Sequence, residues 1–578
     1  MIQAPKFPSG HSRMLGPFRA KRTLALLRFS LAMAVCAPTD WPAIAKVLRR
    51  IFETYMEHLD NLTVKYIDTI VIRRSVAFKL RRDIQNIGGS TMINHSGRWP
   101  RARARDMLPM LAALMLSCLS AQAQVPNPTV TGPIVAKDTP GAPTHNYPFF
   151  STNHPLATSG YVEEEFFFRG IANRYNTPSG MTANVVDGGH PYQTRLVVRR
   201  PADPKAFNGT VLVEWLNVTN GFDADNLWFY AWERILGEGY IWVGVSAQQV
   251  GVTALLAFNS TRYAGFDTTV GGTITGDALS YDIFSQAAQA IRHPVRVDPL
   301  AGLKPKLLLA VGESQSASRL STYVNSIDPL SHAFDGYLLL SSLNNKIRTD
   351  VRVPTFKIST EFDVQNGEAT VRQPDTAMFH HWEIAGQAHV DQHLRDSREP
   401  LELRDRGTSS EATLAPTCGV PTIGTRVSGD AVVGQAIQEL VPWITRRKQP
   451  SSAPELQTTS LLPIVLARNS LGLALGGIQP SQVSVPTALN VGTNSGPPGS
   501  ACVRWGYYVP FSVSQLDSLY RSHEDYVRQV ASAEQQNVRE GYISKLDARQ
   551  IVGDAINSAV GGRDTGRNYQ EYLVPFSP

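Results

Sequence analysis

The sequence predicts an α/β domain built on a mostly parallel sheet, and three observations predict it. Short runs of aliphatic and β-branched residues alternate along the chain with stretches of helical period. Several of the strand runs are apolar at consecutive positions, as strands covered on both faces are. One of them, Leu307-Leu308-Leu309-Ala310-Val311, runs through a tight Gly312-Glu313-Ser314 turn directly into another helical stretch.

The elements follow in order. Residues 124–147 carry Pro126, Pro128, Pro133, Pro140 and Pro143 among small polar residues and read as an extended entry segment. Residues 166–168, 195–198 and 211–216 are β-type runs, the last opened by the turn signal Asn208-Gly209. Residues 228–236 read as helix, 240–245 as a buried strand, 279–291 as helix, 307–311 as strand, and 317–324 as helix. Residues 337–340, 355–359 and 382–384 supply three more strands. Beyond Pro400 the pattern changes. Val433, Ile437, Leu440 and Ile444 mark a helix that Pro442 should kink, residues 450–510 read as loops with short strands, and 526–538 and 546–552 read as closing helices. This C-terminal part, 400–578, is expected to pack on the main body within one domain, 148–578.

Charge is unevenly distributed over the 578 residues. The chain holds 55 Lys+Arg against 49 Asp+Glu. Residues 1–106 account for 19 of the basic and 7 of the acidic ones, a balance of +12, which leaves −6 for the remainder. The basic character thus belongs to the leader, and a mildly acidic body with 42% hydrophobic residues is neither disordered nor a nucleic-acid binder driven by bulk charge. Arg98, Arg101, Arg103 and Arg105 precede an apolar run at 108–119, and Ala121-Gln122-Ala123 follows. That is the pattern of a secretory signal peptide over 107–123, cleaved after Ala123, with no stable membrane insertion afterwards. Ser117-Cys118 only loosely matches a lipoprotein site. Because a signal must emerge first, the reading favours translation from Met92 or Met107 over a genuine upstream extension, with residues 1–91 poorly ordered.

Of four cysteines, Cys36, Cys118, Cys418 and Cys502, none shows zinc-ligand spacing. Only Cys418 and Cys502 lie in the body. In an exported protein they are candidates for one disulfide closing a long loop, and the alternative is two buried thiols.

Strand, tight turn and helix around Ser314 form the context a nucleophile elbow needs: an exposed hydroxyl on a strained turn at a helix N-terminus. The usual G-x-S-x-G ends here in Ser316, and Ser314 could instead simply cap its helix. In the chain order serine, acid, histidine, His389 is the base candidate, because it sits in the loop after residues 382–385, whereas His380 and His381 lie at that strand's other end. Between them, Glu361 is the first choice of acid, being nearest the end of its strand, and Asp363 is the alternative. Asp391 is expected to order its own loop. The oxyanion donors should be the Gln315 N–H and an N–H from Asn217, Val218 or Thr219. Trp215, Trp228, Tyr230 and Trp232 could line a pocket but read mainly as core. Sequons at Asn208, Asn217 and Asn259 fit chance. There is no HExxH, GxxxxGK[ST] or strand-linked GxGxxG, and the chemistry calls for no metal or cofactor.

Gly312-Glu313-Ser314-Gln315-Ser316, Trp382-Glu383-Ile384-Ala385-Gly386-Gln387-Ala388-His389-Val390-Asp391, Ser280-Tyr281-Asp282-Ile283-Phe284 and Leu519-Tyr520-Arg521-Ser522-His523 together resemble the α/β-hydrolase domain family of bacterial exported proteins. The resemblance runs from about residue 145 onward. It implies the α/β-hydrolase fold, Ser314 as nucleophile, His389 as base and an acid at the Glu361 position, and in that family the elbow often ends in Ser. The family's substrates are mostly unassigned. The expectation is an exported serine hydrolase acting on a small-molecule carboxylic ester. A non-catalytic binding protein on the same scaffold and an amidase or peptidase are the alternatives.

Overall fold

The computed structural model describes residues 125–420, 423–562 and 569–577. The basic leader, the signal peptide and the cleavage site at Ala123 lie outside the described residues.

Nine strands form the main sheet: β1 (Thr129–Thr131), β2 (Tyr161–Asn176), β3 (Asn184–Pro201), β4 (Thr210–Trp215), β5 (Ile241–Val245), β6 (Leu307–Glu313), β7 (Gly336–Leu340), β8 (Thr355–Thr360) and β9 (Phe379–Ile384). Their order across the sheet is β1-β2-β3-β5-β4-β6-β7-β8-β9. From β5 to β9 every neighbouring pair is parallel. The first three strands pair antiparallel at one edge. Strand order reverses between β5, β4 and β6, and in open α/β sheets ligands collect at such a switch, beyond the carboxyl ends of the strands.

The longer helices are α1 (Asn226–Gly237), α2 (Gln249–Phe258), α3 (Ser280–Arg292), α4 (Gln315–Thr322), α5 (Gln392–Arg406), α6 (Asp430–Arg446), α7 (His523–Glu540) and α8 (Lys545–Asn557). They cover both faces, and the alternation of the strands decides which side chain faces which. Leu212, Trp242, Leu309, Val311, Leu338 and Phe356 point to one face, where Trp228 and Ile235 of α1, Leu394 and Leu401 of α5 and Val433 and Ile437 of α6 meet them. Val211, Val213, Ile241, Val243, Leu308 and Ala310 point to the other, against Ile283 and Phe284 of α3 and Ala317 and Leu320 of α4. Strands buried on both faces are why the sequence reads as unbroken apolar runs.

Helices α7 and α8 join the first of these cores through Val530, Ala531, Ala548 and Val552. Two ribbons, β10 (Thr458–Leu461) with β11 (Ile464–Leu466) and β12 (Ala488–Val491) with β13 (Tyr507–Pro510), occupy the stretch read as loops with short strands. The elements differ from the sequence reading in two places. Helix α5 was not read as a helix from the sequence; it runs through Pro400, which removes one backbone donor, with Leu394 and Leu401 buried on either side of it. Strands β2 and β3 are far longer than the runs at 166–168 and 195–198, because the outer part of this hairpin is half exposed and polar.

Candidate active site

β6 delivers Gly312, Glu313 and Ser314 to the carboxyl end of the sheet, and α4 begins at once. Ser314 has φ 56° and ψ −117°, a conformation costly for a residue with a side chain and found where function holds it. Its N–H is anchored to the Leu340 carbonyl of β7 at 2.9 Å. A Cβ at Gly312 would lie 3.0 Å from Leu320 Cδ1 and 3.1 Å from Ala317 N, so strand and helix approach this closely only with glycine there. Ser316, in the position where the usual pattern has glycine, is buried. Its Oγ accepts from Glu313 N–H at 3.1 Å and donates to the Glu313 carbonyl at 2.9 Å, which ties the turn together. The Ser314 side chain makes no capping bond. It points instead to His389, whose Nε2 is 2.7 Å from Ser314 Oγ.

His389 follows β9 on the loop that starts at Gly386. Tyr230 OH of α1 donates to the His389 carbonyl at 3.0 Å, and the ring packs 5.0 Å from that of Phe362. Its Nδ1 is 3.0 Å from Asp363 Oδ1. The carboxylate that reaches the imidazole is therefore Asp363, and the first choice from sequence, Glu361, is corrected. β8 passes into a short helix, Glu361–Gln365, in which successive residues are rotated by about 100°, so 361 and 363 face nearly opposite directions. Glu361 points away and accepts from Arg468 Nη2 at 2.6 Å and from the Gly386 and Gly492 N–H groups at 2.8 and 3.2 Å. Asp363 is held by a capping box: Oδ2 accepts from Thr360 N–H at 2.8 Å while Thr360 Oγ1 accepts from Asp363 N–H at 3.3 Å. The sequence signal for this was Thr360-x-x-Asp363.

Asp391 orders its own loop, accepting from Leu394 N–H at 3.0 Å and Gly429 N–H at 2.9 Å. His380 and His381 bond elsewhere, to Gln449 at 3.1 Å and Ser359 at 2.9 Å.

Electrostatics at the imidazole are contested. Burial alone would lower the His389 pKa, but the hydrogen bond to Asp363 and the charges of Glu313 and Asp363 outweigh it and hold the pKa above the ordinary value. For Asp363 burial acts upward, yet the imidazole and its backbone donors keep the carboxyl below its usual range. Glu313 was not singled out from sequence. Its Oε1 is 3.5 Å from His389 Nε2, on the side of the ring opposite Asp363. Asn226 Nδ2 at 2.6 Å and Asn217 Nδ2 at 3.2 Å bind its other oxygen, and burial pushes its pKa up.

The Gln315 N–H, at the first position of α4, has no helical acceptor and faces the elbow. The Asn217 N–H does not fit as an oxyanion donor, and this expectation is corrected: it is spent on the Ala224 carbonyl at 2.9 Å in a bridge between the two residues. Thr219 N–H is likewise bound, to Asn217 Oδ1 at 2.8 Å. Val218 N–H keeps only a long approach of 3.5 Å from Gln315 Oε1, which leaves it, with Gln315, as the available pair.

Geometry and sheet order agree with a family match. The family model described as Alpha/beta hydrolase domain matches residues 130–553. The chain belongs to that family. Comparison with curated proteins finds no match. Among solved structures, an α/β serine hydrolase without lid from Xanthomonas campestris is 15% identical, with a TM-score of 0.24 over 37% of this chain and 89% of that one. The rice cell wall degrading esterase LipA from Xanthomonas oryzae is 14% identical, with a TM-score of 0.19 over 32% of this chain and 43% of that one.

In this hydrolase a cavity of about 160 Å³ opens over Ser314 and His389. Its floor includes Asn217, Asn226 and Glu313. Its walls come from α5 through Leu394 and Arg398, from Ser410, Thr413 and Leu414, and from Ala501, Arg504 and Trp505. These walls belong to residues 390–414 and 501–505, and no residue of 246–278 lines the cavity. Trp215, Trp228, Tyr230 and Trp232 do not line it either; the first three are buried core. Cys418 and Cys502 are joined in a disulfide with a Cα–Cα distance of 5.4 Å. Cys418 follows the Ser410–Leu414 wall and Cys502 lies within the 501–505 wall, so the bridge fastens the two together. Among the described residues no group of three or more His, Cys, Asp and Glu is placed to hold a metal ion, and no helix is long and apolar enough to cross a membrane.

Proposed function

We propose that this hydrolase cleaves carboxylic esters through an acyl-enzyme on Ser314, and that it does so after export. The observation that carries the reading is the continuous line from hydroxyl to imidazole to carboxylate, 2.7 Å and 3.0 Å long at its two links. As Ser314 Oγ attacks the ester carbonyl, His389 Nε2 takes its proton, and Asp363 holds the ring with Nδ1 protonated and stabilises the imidazolium. The carbonyl oxygen, now negative, is met by the Gln315 and Val218 N–H groups once the Gln315 side chain gives way. His389 returns the proton to the departing alkoxide, leaving Ser314 acylated. Water then loses a proton to Nε2 as it attacks the acyl carbon, and Ser314 departs with the proton returned. Esters are preferred to amides because an ester carbonyl lacks the amide's resonance stabilisation and an alkoxide leaves more readily than an unprotonated amide nitrogen. Export rests on the basic and apolar pattern at 98–123 and on a disulfide that suits an oxidising compartment.

Paired chromogenic esters and anilides of the same short acid test the chemistry. The expected result is turnover of the ester well above the anilide, with Ser314→Ala lower by at least about 10³-fold. Turnover unaffected by Ser314→Ala contradicts the reading, and faster anilide cleavage replaces esterase by amidase. N-terminal sequencing of protein from the host's periplasm or medium should begin at Gln124.

A further inference from the structure

The cavity over Ser314 is small and mainly polar, and two of its lining residues are arginines. Arg398, on α5, is 4% exposed. Its ion pair runs from Nε to Glu402 Oε1 at 3.2 Å, one helical turn away along α5. Neither terminal nitrogen has a hydrogen-bond acceptor among the described residues, although the guanidinium borders the cavity. The Glu402 carboxylate is itself occupied, taking Ser410 N–H at 2.7 Å and Ser410 Oγ at 3.0 Å. Arg504, half-buried on the wall held by Cys502, borders the same space, and no ion pair or side-chain hydrogen bond engages it among the described residues. Glu313, the acid on the floor, is held by Asn226 and Asn217 beneath His389.

The terminal nitrogens open onto the cavity, with the guanidinium 5.9 Å over the Trp505 ring, so what enters the cavity meets a cation with no fixed acceptor at those donors. Its planar fork matches a carboxylate or a phosphate received through two parallel hydrogen bonds, and of the two the smaller, planar carboxylate suits a space of about 160 Å³ beside a reacting acyl group. Thr219, Asn220, Ser410 and Thr413 add polar groups beside the apolar Leu394, Leu414 and Trp505, and a space of about 160 Å³ suits a short acyl group better than a long one.

We propose that this cavity takes esters of short acids that carry a second, free carboxylate, with that carboxylate received by Arg398 and approached across Arg504. The proposal rests on the reading of Ser314 as an ester-cleaving nucleophile and adds the substrate class. The second carboxylate takes no part in the bond changes: the ester C–O bond breaks, the acyl group passes to Ser314 and then to water, and a dicarboxylate is released with the alcohol. Binding energy at Arg398 places the reacting carbonyl over Ser314 and is used for orientation.

The test compares the p-nitrophenyl monoester of glutaric acid with p-nitrophenyl pentanoate, matched in chain length, on the full protein with spontaneous hydrolysis subtracted. The acidic ester should have the higher kcat/KM by about tenfold or more. In Arg398→Met the ratio of acidic to neutral kcat/KM should fall by a similar factor, with Arg398→Lys recovering part of it, and Arg504→Gln should lower the ratio less. Should Arg398→Met fail to fold, the wild-type ratio and Arg504→Gln still decide. Equal or better use of the pentanoate, or a ratio unchanged in these variants, overturns the proposal while leaving the esterase reading intact. If neither ester is turned over and a fluorophosphonate does not react at Ser314, the esterase reading fails and the proposal fails with it.

Discussion

At residue 363 one carboxylate serves two partners: Oδ2 closes the cap of its own helix and Oδ1 faces His389 Nδ1. The cap fixes the side chain before any substrate arrives. Asp363→Asn presents an amide where the ring needs an acceptor, and kcat should fall by roughly 10³–10⁴-fold. Glu361→Gln should act on melting temperature, through its bonds to Arg468 and Gly492, far more than on kcat. Steady-state kinetics beside a thermal melt separates the two, and the reverse pattern would restore Glu361 as the acid. Distance along the chain from the strand end misled the sequence reading here, because a helix begins at Glu361 and direction then depends on angle. Glu313 escaped notice for a related reason: it is the unspecified residue of the elbow, and only folding brings it beside Nε2. Its charge helps hold the His389 pKa above 6.5. A raised imidazole pKa keeps the ring protonated, and so unable to accept a proton, up to higher pH. Activity should therefore fall with decreasing pH through a midpoint above 6.5. Glu313→Gln removes one of the charges opposing burial, so that midpoint should move to lower pH in the kcat/KM profile; an unmoved or raised midpoint contradicts this account.

Among the elements, the elbow was legible because its demands are local. A buried apolar strand, Gly312 and a following helix all sit within a few residues of Ser314, and Ser316 compensates for the missing second glycine with two hydrogen bonds to Glu313. The cavity walls were not legible. They come from 390–414 and 501–505, segments that meet only in three dimensions and carry no periodic signal. The disulfide that joins them was visible only as two cysteines with no better use. Closing a loop across a separation of 84 residues, it should stabilise the fold by about 2–4 kcal/mol. It also holds Arg504 and Trp505 at the rim. Reduction, or the double change Cys418→Ser with Cys502→Ser, should lower the melting temperature and raise KM more than it lowers kcat, since the hydroxyl, imidazole and carboxylate lie outside the bridged wall. Loss of kcat with KM unchanged would show that the bridge supports the reacting groups themselves.

Over the whole molecule, the doubly covered parallel sheet could be read from consecutive apolar runs, because burial on both faces leaves no polar alternation. The long antiparallel hairpin of β2 and β3 was read only at its buried end. The central claim is that this sheet brings residues 314, 363 and 389, from three different strand ends, into one reacting unit in which His389 makes the Ser314 hydroxyl a nucleophile. Reaction with a fluorophosphonate, followed by peptide mass spectrometry, measures that directly. One phosphonyl group per chain is expected, on Ser314, with the rate of labelling sharply reduced in His389→Gln and Asp363→Asn. Labelling absent from the folded protein, placed on another residue, or equally fast in His389→Gln would contradict the central claim.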